Sequence, residues 1–158
     1  MIIYNDRNFK QMMDNLYIRI QTKYDCIIGL KRGGLIPAVY LSHHLCVPMY
    51  VADVSHELSK GDNLDWHDTI LPEIKPGSKI LIVDDILDSG YTLLTCAKHY
   101  QKDCTVDIAV LVAKYSSTKL CQQIVPNIIF TTEIPDNAPF VYFPWERKPE
   151  VYYDSNTK

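Results

Sequence analysis

Asp84, Asp85 and Asp88 lie within five positions of one another and run directly into Ser89, Gly90, Tyr91 and Thr92. They follow Ile80-Leu81-Ile82-Val83, a continuous aliphatic stretch that predicts a strand buried on both faces. The two adjacent carboxylates are then expected at the strand tip, and Asp88-Ser89-Gly90 forms a short loop opening a helix marked by Leu93, Leu94, Ala97 and Tyr100. Backbone N–H groups at such a helix start, with the positive end of its dipole, suit a phosphate. Gly90 lets the backbone approach closely, and Ser89 and Thr92 add hydroxyl donors. Carboxylates placed just before an anion nest make sense for a ligand that also offers sugar hydroxyls or Mg²⁺.

A second glycine loop lies earlier, in Gly29-Leu30-Lys31-Arg32-Gly33-Gly34-Leu35-Ile36-Pro37. Backbone amides around paired glycines, with cationic side chains beside them, can hold a pyrophosphate. Alone, this is an ordinary strand-to-helix turn carrying two surface cations. Together with the acidic loop, in this chain order, it describes a site that handles phosphate from two sides.

The elements that must position these loops follow from periodicity. Phe9, Met12, Met13, Leu16 and Ile20 recur at three- and four-residue steps, predicting a helix over 6–22 capped by Asn5 or Asp6. Residues 26–30 read as a strand, and the helix after them accepts Pro37 in its first turn. Further strands are expected at 47–54, 106–113 and 128–130. Alternating β and α units with apolar strands predict an α/β fold, a parallel central sheet flanked by helices. In such sheets ligands bind at the carboxyl ends of the strands. Residues 55–72 form the one long irregular stretch, containing His56, Trp66 and His67, and a loop of that length reads as a functional flap. His43-His44, with no partner at metal-ligand spacing, reads as structural.

Composition limits what this site can serve. At 158 residues, with 47% hydrophobic residues, the chain predicts one domain with a packed core. Nineteen acidic residues against sixteen basic ones disfavour a nucleic-acid clamp. Nine of the acids fall within 53–92, against three lysines, so the acidity is local to the candidate site. Five cysteines without a CxxC pair suggest thiols in a reducing compartment, and no stretch reaches membrane-span length. The expectation is a cytoplasmic protein that binds neither nucleic acid nor membrane.

The thirteen positions from Ile80 to Thr92 resemble the phosphoribosyl-pyrophosphate (PRPP) motif of type I phosphoribosyltransferases. Gly29 to Pro37 resembles the pyrophosphate loop of that family's 6-oxopurine branch, and the two matches set aside a receiver domain, whose acidic pair stands nearer the N-terminus. The ending Phe140-Val141-Tyr142-Phe143-Pro144-Trp145-Glu146, after Lys114, is similar to the base site of bacterial xanthine-guanine phosphoribosyltransferases. Phe140 stands where that branch carries tryptophan.

The resemblance implies the type I fold, with a core over about 1–113 and a small C-terminal hood over about 114–150. It implies transfer from PRPP to guanine, xanthine or hypoxanthine, as in purine salvage. Asp84, Asp85, Asp88, Ser89, Gly90, Tyr91 and Thr92 would bind PRPP, with Asp88 as general base and Asp84 and Asp85 holding Mg²⁺. Leu30, Lys31, Arg32, Gly33 and Gly34 would hold pyrophosphate, with a cis peptide between Leu30 and Lys31. Lys114, Phe140 and Val141 would bind the base. Homo-oligomers, dimeric or tetrameric, are implied as well. The alternatives are a PRPP-sensing, non-catalytic regulator of the same fold and a transferase acting on another base. An interaction module built on the 11 tyrosines would leave both glycine loops unexplained.

Overall fold

The apolar strand residues 80–83 carry no polar side chain to present to water, so helices must cover both faces. The computed structural model, which describes residues 1–54 and 70–146, builds this arrangement. In chain order the elements are β1 (Ile2–Ile3), α1 (Asp6–Arg19), β2 (Cys26–Leu30), α2 (Leu35–Leu45), β3 (Met49–Ala52) and β4 (Lys79–Leu87). They continue with α3 (Tyr91–Tyr100), β5 (Thr105–Lys114), α4 (Tyr115–Gln122), β6 (Ile128–Ile134) and β7 (Val141–Tyr142). The main sheet has the order β3-β2-β4-β5-β6 and every pairing is parallel.

Alternation along β4 divides the core in two. Ile80 and Ile82 face Leu93, Leu94, Ala97 and Tyr100 of α3, together with Ile28, Ile108 and Val110 of the neighbouring strands. Leu81 and Val83 face Met12, Met13 and Leu16 of α1 and Ala38 and Leu41 of α2. This is the doubly covered parallel sheet that the apolar runs require.

Helix α1 begins where a reciprocal cap allows it. Asn5 Oδ1 accepts the Asn8 backbone N–H at 2.9 Å, and Asn8 Oδ1 accepts that of Asn5 at 3.1 Å. The helix stops at Arg19, short of residue 22, and Arg19 donates to the Phe130 carbonyl on edge strand β6 at 2.6 Å.

Three expectations change. Strand β4 does not end at Val83: its ten-residue partner β5 carries the ladder on, pairing Asp84 with Val110 and Leu87 with Ala113. The acidic pair therefore sits within the strand. Strand β3 is shorter than 47–54, because Val47 is still turning out of α2 and bonds the Ser42 carbonyl. The apolar stretch at 128–130 extends to Ile134. Helix α4 and the parallel β1–β7 pair, which joins Ile2 to Val141 and Ile3 to Tyr142, come in addition. Of the flap at 55–72, residues 55–69 lie outside the described residues, and so do the readings of His56, Trp66 and His67. Among the described residues no helix is long and apolar enough to cross a membrane.

Candidate active site

Strand register alone brings the chemistry together. Gly29 pairs with Val83, which sets the loop after β2 beside Asp84. Leu87 pairs with Ala113, which sets Asp88 opposite Lys114 at the next step along both strands. All of these residues lie at the carboxyl edge of the sheet.

The two carboxylates on β4 are held by backbone as well as by each other. Asp84 Oδ1 accepts the Asp85 N–H at 3.0 Å, and the Gly34 backbone amide also bonds Asp84. Burial, followed by the charge of Asp85, pushes the Asp84 carboxyl well above the usual carboxylate range. Asp85 is only 8% exposed, and burial, with the nearby Glu146 charge second, raises it to about 6. Neither has an ion-pair partner among the described residues. Two crowded, unpaired carboxylates are oxygen donors suited to a magnesium ion, which takes one or two protein carboxylates and completes its shell with substrate and water. Among the described residues they are not joined by a third acid, histidine or cysteine in a metal-binding group.

The loop between β2 and α2 meets these carboxylates directly. A Cβ added at Gly33 would fall on the Asp85 carboxylate, so only glycine lets the loop pass there. The non-prolyl cis peptide joins Lys31 to Arg32, one residue beyond the expected Leu30–Lys31 bond. Leu30 closes β2 and is buried. Lys31 turns away, its ammonium 2.7 Å from Asp53 Oδ2 and its N–H 2.9 Å from the Ala52 carbonyl. Arg32 is exposed and lines, with Gly33, Asp85, Phe140, Tyr142, Trp145 and Glu146, a cavity of about 690 Å³.

The loop after β4 is built for close approach. Gly90, with φ +79°, caps α3 in the left-handed region, and a Cβ there would also sit 2.6 Å from the Cys121 sulfur. Ser89 Oγ accepts the Tyr91 N–H at 3.3 Å, and Thr92 stands half-buried in the first turn of α3. Asp88 is mostly exposed and forms an ion pair with Lys114. Its carbonyl accepts the Ser117 hydroxyl.

A second cavity, of about 250 Å³, is lined by Asp85, Ile86, Asp88, Lys114, Ile134, Ala138, Pro139, Phe140, Val141, Phe143 and Glu146. It shares Asp85, Phe140 and Glu146 with the larger one, so the two adjoin. Phe140 is 65% exposed and presents an open ring, while Val141 is buried in β7. Of the candidate residues, Arg32, Gly33, Asp85, Asp88, Lys114, Phe140 and Val141 line these two cavities. Leu30 is buried, the Lys31 ammonium turns to Asp53, and Gly34, Asp84 and residues 89–92 line neither cavity. The structure adds Glu146, whose Oε2 accepts the Phe143 N–H at 2.9 Å, and Ser117. Glu146 stood inside a quoted motif without a role, and Ser117 gave no signal because helix α4 packs through Ser117, Thr118 and Cys121, with no apolar stripe.

Known proteins resemble this one in both sequence and shape. The chain is 32% identical over 109 residues to an adenine phosphoribosyltransferase of Chlorobium phaeobacteroides, spanning 60% of each protein's length. It is 26% identical over 128 residues to a xanthine-guanine phosphoribosyltransferase of Idiomarina loihiensis, covering 78% of this chain and 72% of that one. The structure of a purine phosphoribosyltransferase from Pyrococcus horikoshii superposes with a TM-score of 0.77 at 29% identity, covering 95% of this chain and 96% of the other. Residues 2–143 match the phosphoribosyl transferase domain, and with the five-stranded parallel sheet and the two phosphate-type loops in place, the chain belongs to that family.

Proposed function

We propose that the protein transfers the phosphoribosyl group of PRPP to a 6-oxopurine, yielding the nucleoside 5′-monophosphate and pyrophosphate in purine salvage. The observation that carries the choice of base is the Asp88–Lys114 ion pair on the wall of the smaller cavity. An ammonium beside a carboxylate is complementary to an oxopurine edge, where an acceptor O6 lies beside an N7–H donor. Adenine carries a 6-amino donor in place of O6 and would leave the Lys114 ammonium facing a donor. A purine stacked on the open Phe140 ring, with Val141 at its edge, would bring its five-membered ring to Asp88.

The chemistry divides among the residues by charge. Cleavage at ribose C1 develops positive charge on the sugar and negative charge on the departing pyrophosphate. Arg32 and the backbone around Gly33 and Gly34 stabilise the leaving group, an electrostatic contribution. Asp84 and Asp85 would hold the ribose hydroxyls and Mg²⁺, which when bound would supply further neutralisation of the leaving group. Asp88 accepts the N7 proton as N9 attacks, acting as general base. The 88–92 loop, with Ser89, Tyr91 and Thr92, takes the 5′-phosphate at the start of α3.

Adenine is the second reading, supported by the Chlorobium relative. The two separate on one variant. Lys114→Ala should lower kcat/KM for hypoxanthine at least about tenfold more than for adenine, since a lost charge-assisted hydrogen bond costs about that much. Equal losses for both bases would contradict the oxopurine assignment.

A further inference from the structure

We propose that Asp53 is a positioning residue that holds the Lys31 ammonium out of the pyrophosphate cavity, leaving Arg32 as the cation that meets the leaving group. The inference rests on the phosphoribosyltransferase reading and concerns how that site sets its affinity for pyrophosphate. Lys31 is fixed twice by the end of β3, through its N–H to the Ala52 carbonyl at 2.9 Å and through Nζ to Asp53 at 2.7 Å. Asp53 is itself fixed, exchanging backbone hydrogen bonds with Ile70 at 2.9 and 2.8 Å. Arg32 and Gly33 line the larger cavity and Lys31 does not. Among the described residues the Arg32 side chain has no partner.

The pair is not there for stability. The side chains of Lys31 and Asp53 are 49% and 28% exposed, and ion pairs this wet contribute little to folding. Their effect is on the neighbouring site. Pyrophosphate carries several negative charges, and a second free cation would bind it as substrate and as product alike. Such uniform binding lowers KM without raising kcat and slows product release. A carboxylate that ties down Lys31 leaves affinity to groups aimed at the cavity and removes the bare charge of Asp53 from its neighbourhood.

A double-mutant cycle on the full-length chain tests this, reading the calorimetric affinity for inorganic pyrophosphate with MgCl₂. Asp53→Asn frees Lys31 and should tighten pyrophosphate binding about three- to tenfold, by charge interactions screened across a short distance. That gain should shrink at high salt and be accompanied by a lower kcat. Lys31→Met leaves Asp53 unneutralised and should weaken binding by a similar factor. The double variant should return to within about twofold of the original protein, and Asp53→Glu should keep its affinity. Weakening by Asp53→Asn to the same extent with and without Lys31 would overturn the proposal and make Asp53 scaffolding only. So would binding that none of the variants changes, with the transferase reading intact. Absence of pyrophosphate binding by the original protein would overturn both.

Discussion

Asp88 and Asp85 carry the account at the level of single residues, and they do so differently. Asp88 is exposed and paired with Lys114, and in the proposed reaction it takes a proton from the base. Asp88→Asn should lower kcat about 10²- to 10⁴-fold, the usual contribution of a general base, while the KM for PRPP moves only a few-fold. Steady-state kinetics with PRPP varied separates the two effects. Asp85 is nearly buried, and its carboxyl is raised from 3.8 to about 6. In metal-free protein this group binds its proton more tightly folded than unfolded. Its contribution is most favourable below about pH 4 and is lost as pH rises through about 6. Asp85→Asn should therefore stabilise the chelator-treated protein by on the order of 1–3 kcal/mol near pH 7.5 and by about a third as much near pH 4.5. Thermal melts at both pH values measure the difference. A constant offset across the range would contradict the burial of a reluctant charge.

Contact between elements decides the rest of the site, and it also decides what a sequence can show. The acidic run was legible because strand, loop and helix start are consecutive: Ile80 to Thr92 holds its own lead-in, its glycine and its hydroxyls. The extent of β4 was not, because its continuation past Val83 depends on β5, some twenty residues later, offering Val110 to Ala113 as partners. The β1–β7 pair joins opposite ends of the described chain through two residues each, too short for a local pattern. Helix α4 lacked a signal because small polar residues make its packed face. The direction of the Lys31 ammonium could not be read from the glycine loop either, since Asp53 belongs to another strand end. Among the glycines, the loop that passes closest to a neighbouring element does so at Gly33, against Asp85. Gly33→Ala should cut turnover at least about a hundredfold, since small misplacements at an active site cost that much. The fold should survive, because the displaced groups lie at the open end of the sheet; far-UV circular dichroism and turnover measured together check this.

Across the whole molecule, a five-stranded parallel sheet gathers parts of the chain far apart in sequence along one edge. The 30–34 loop, the 84–92 run, Lys114 and the 140–146 segment all meet at the carboxyl ends of β2, β4 and β5. The excess of carboxylates over cations in the middle of the chain fits the proposed function, in which carboxylates meet the sugar and the metal while phosphate holding falls mainly to backbone and Arg32. The central claim is phosphoribosyl transfer to an oxopurine, and base-dependent release of pyrophosphate tests it most directly. Protein supplied with PRPP and Mg²⁺ should release pyrophosphate only when a base is added, with guanine, xanthine or hypoxanthine turned over at least about tenfold more efficiently than adenine. Release with adenine alone, or with no base at all, would contradict it.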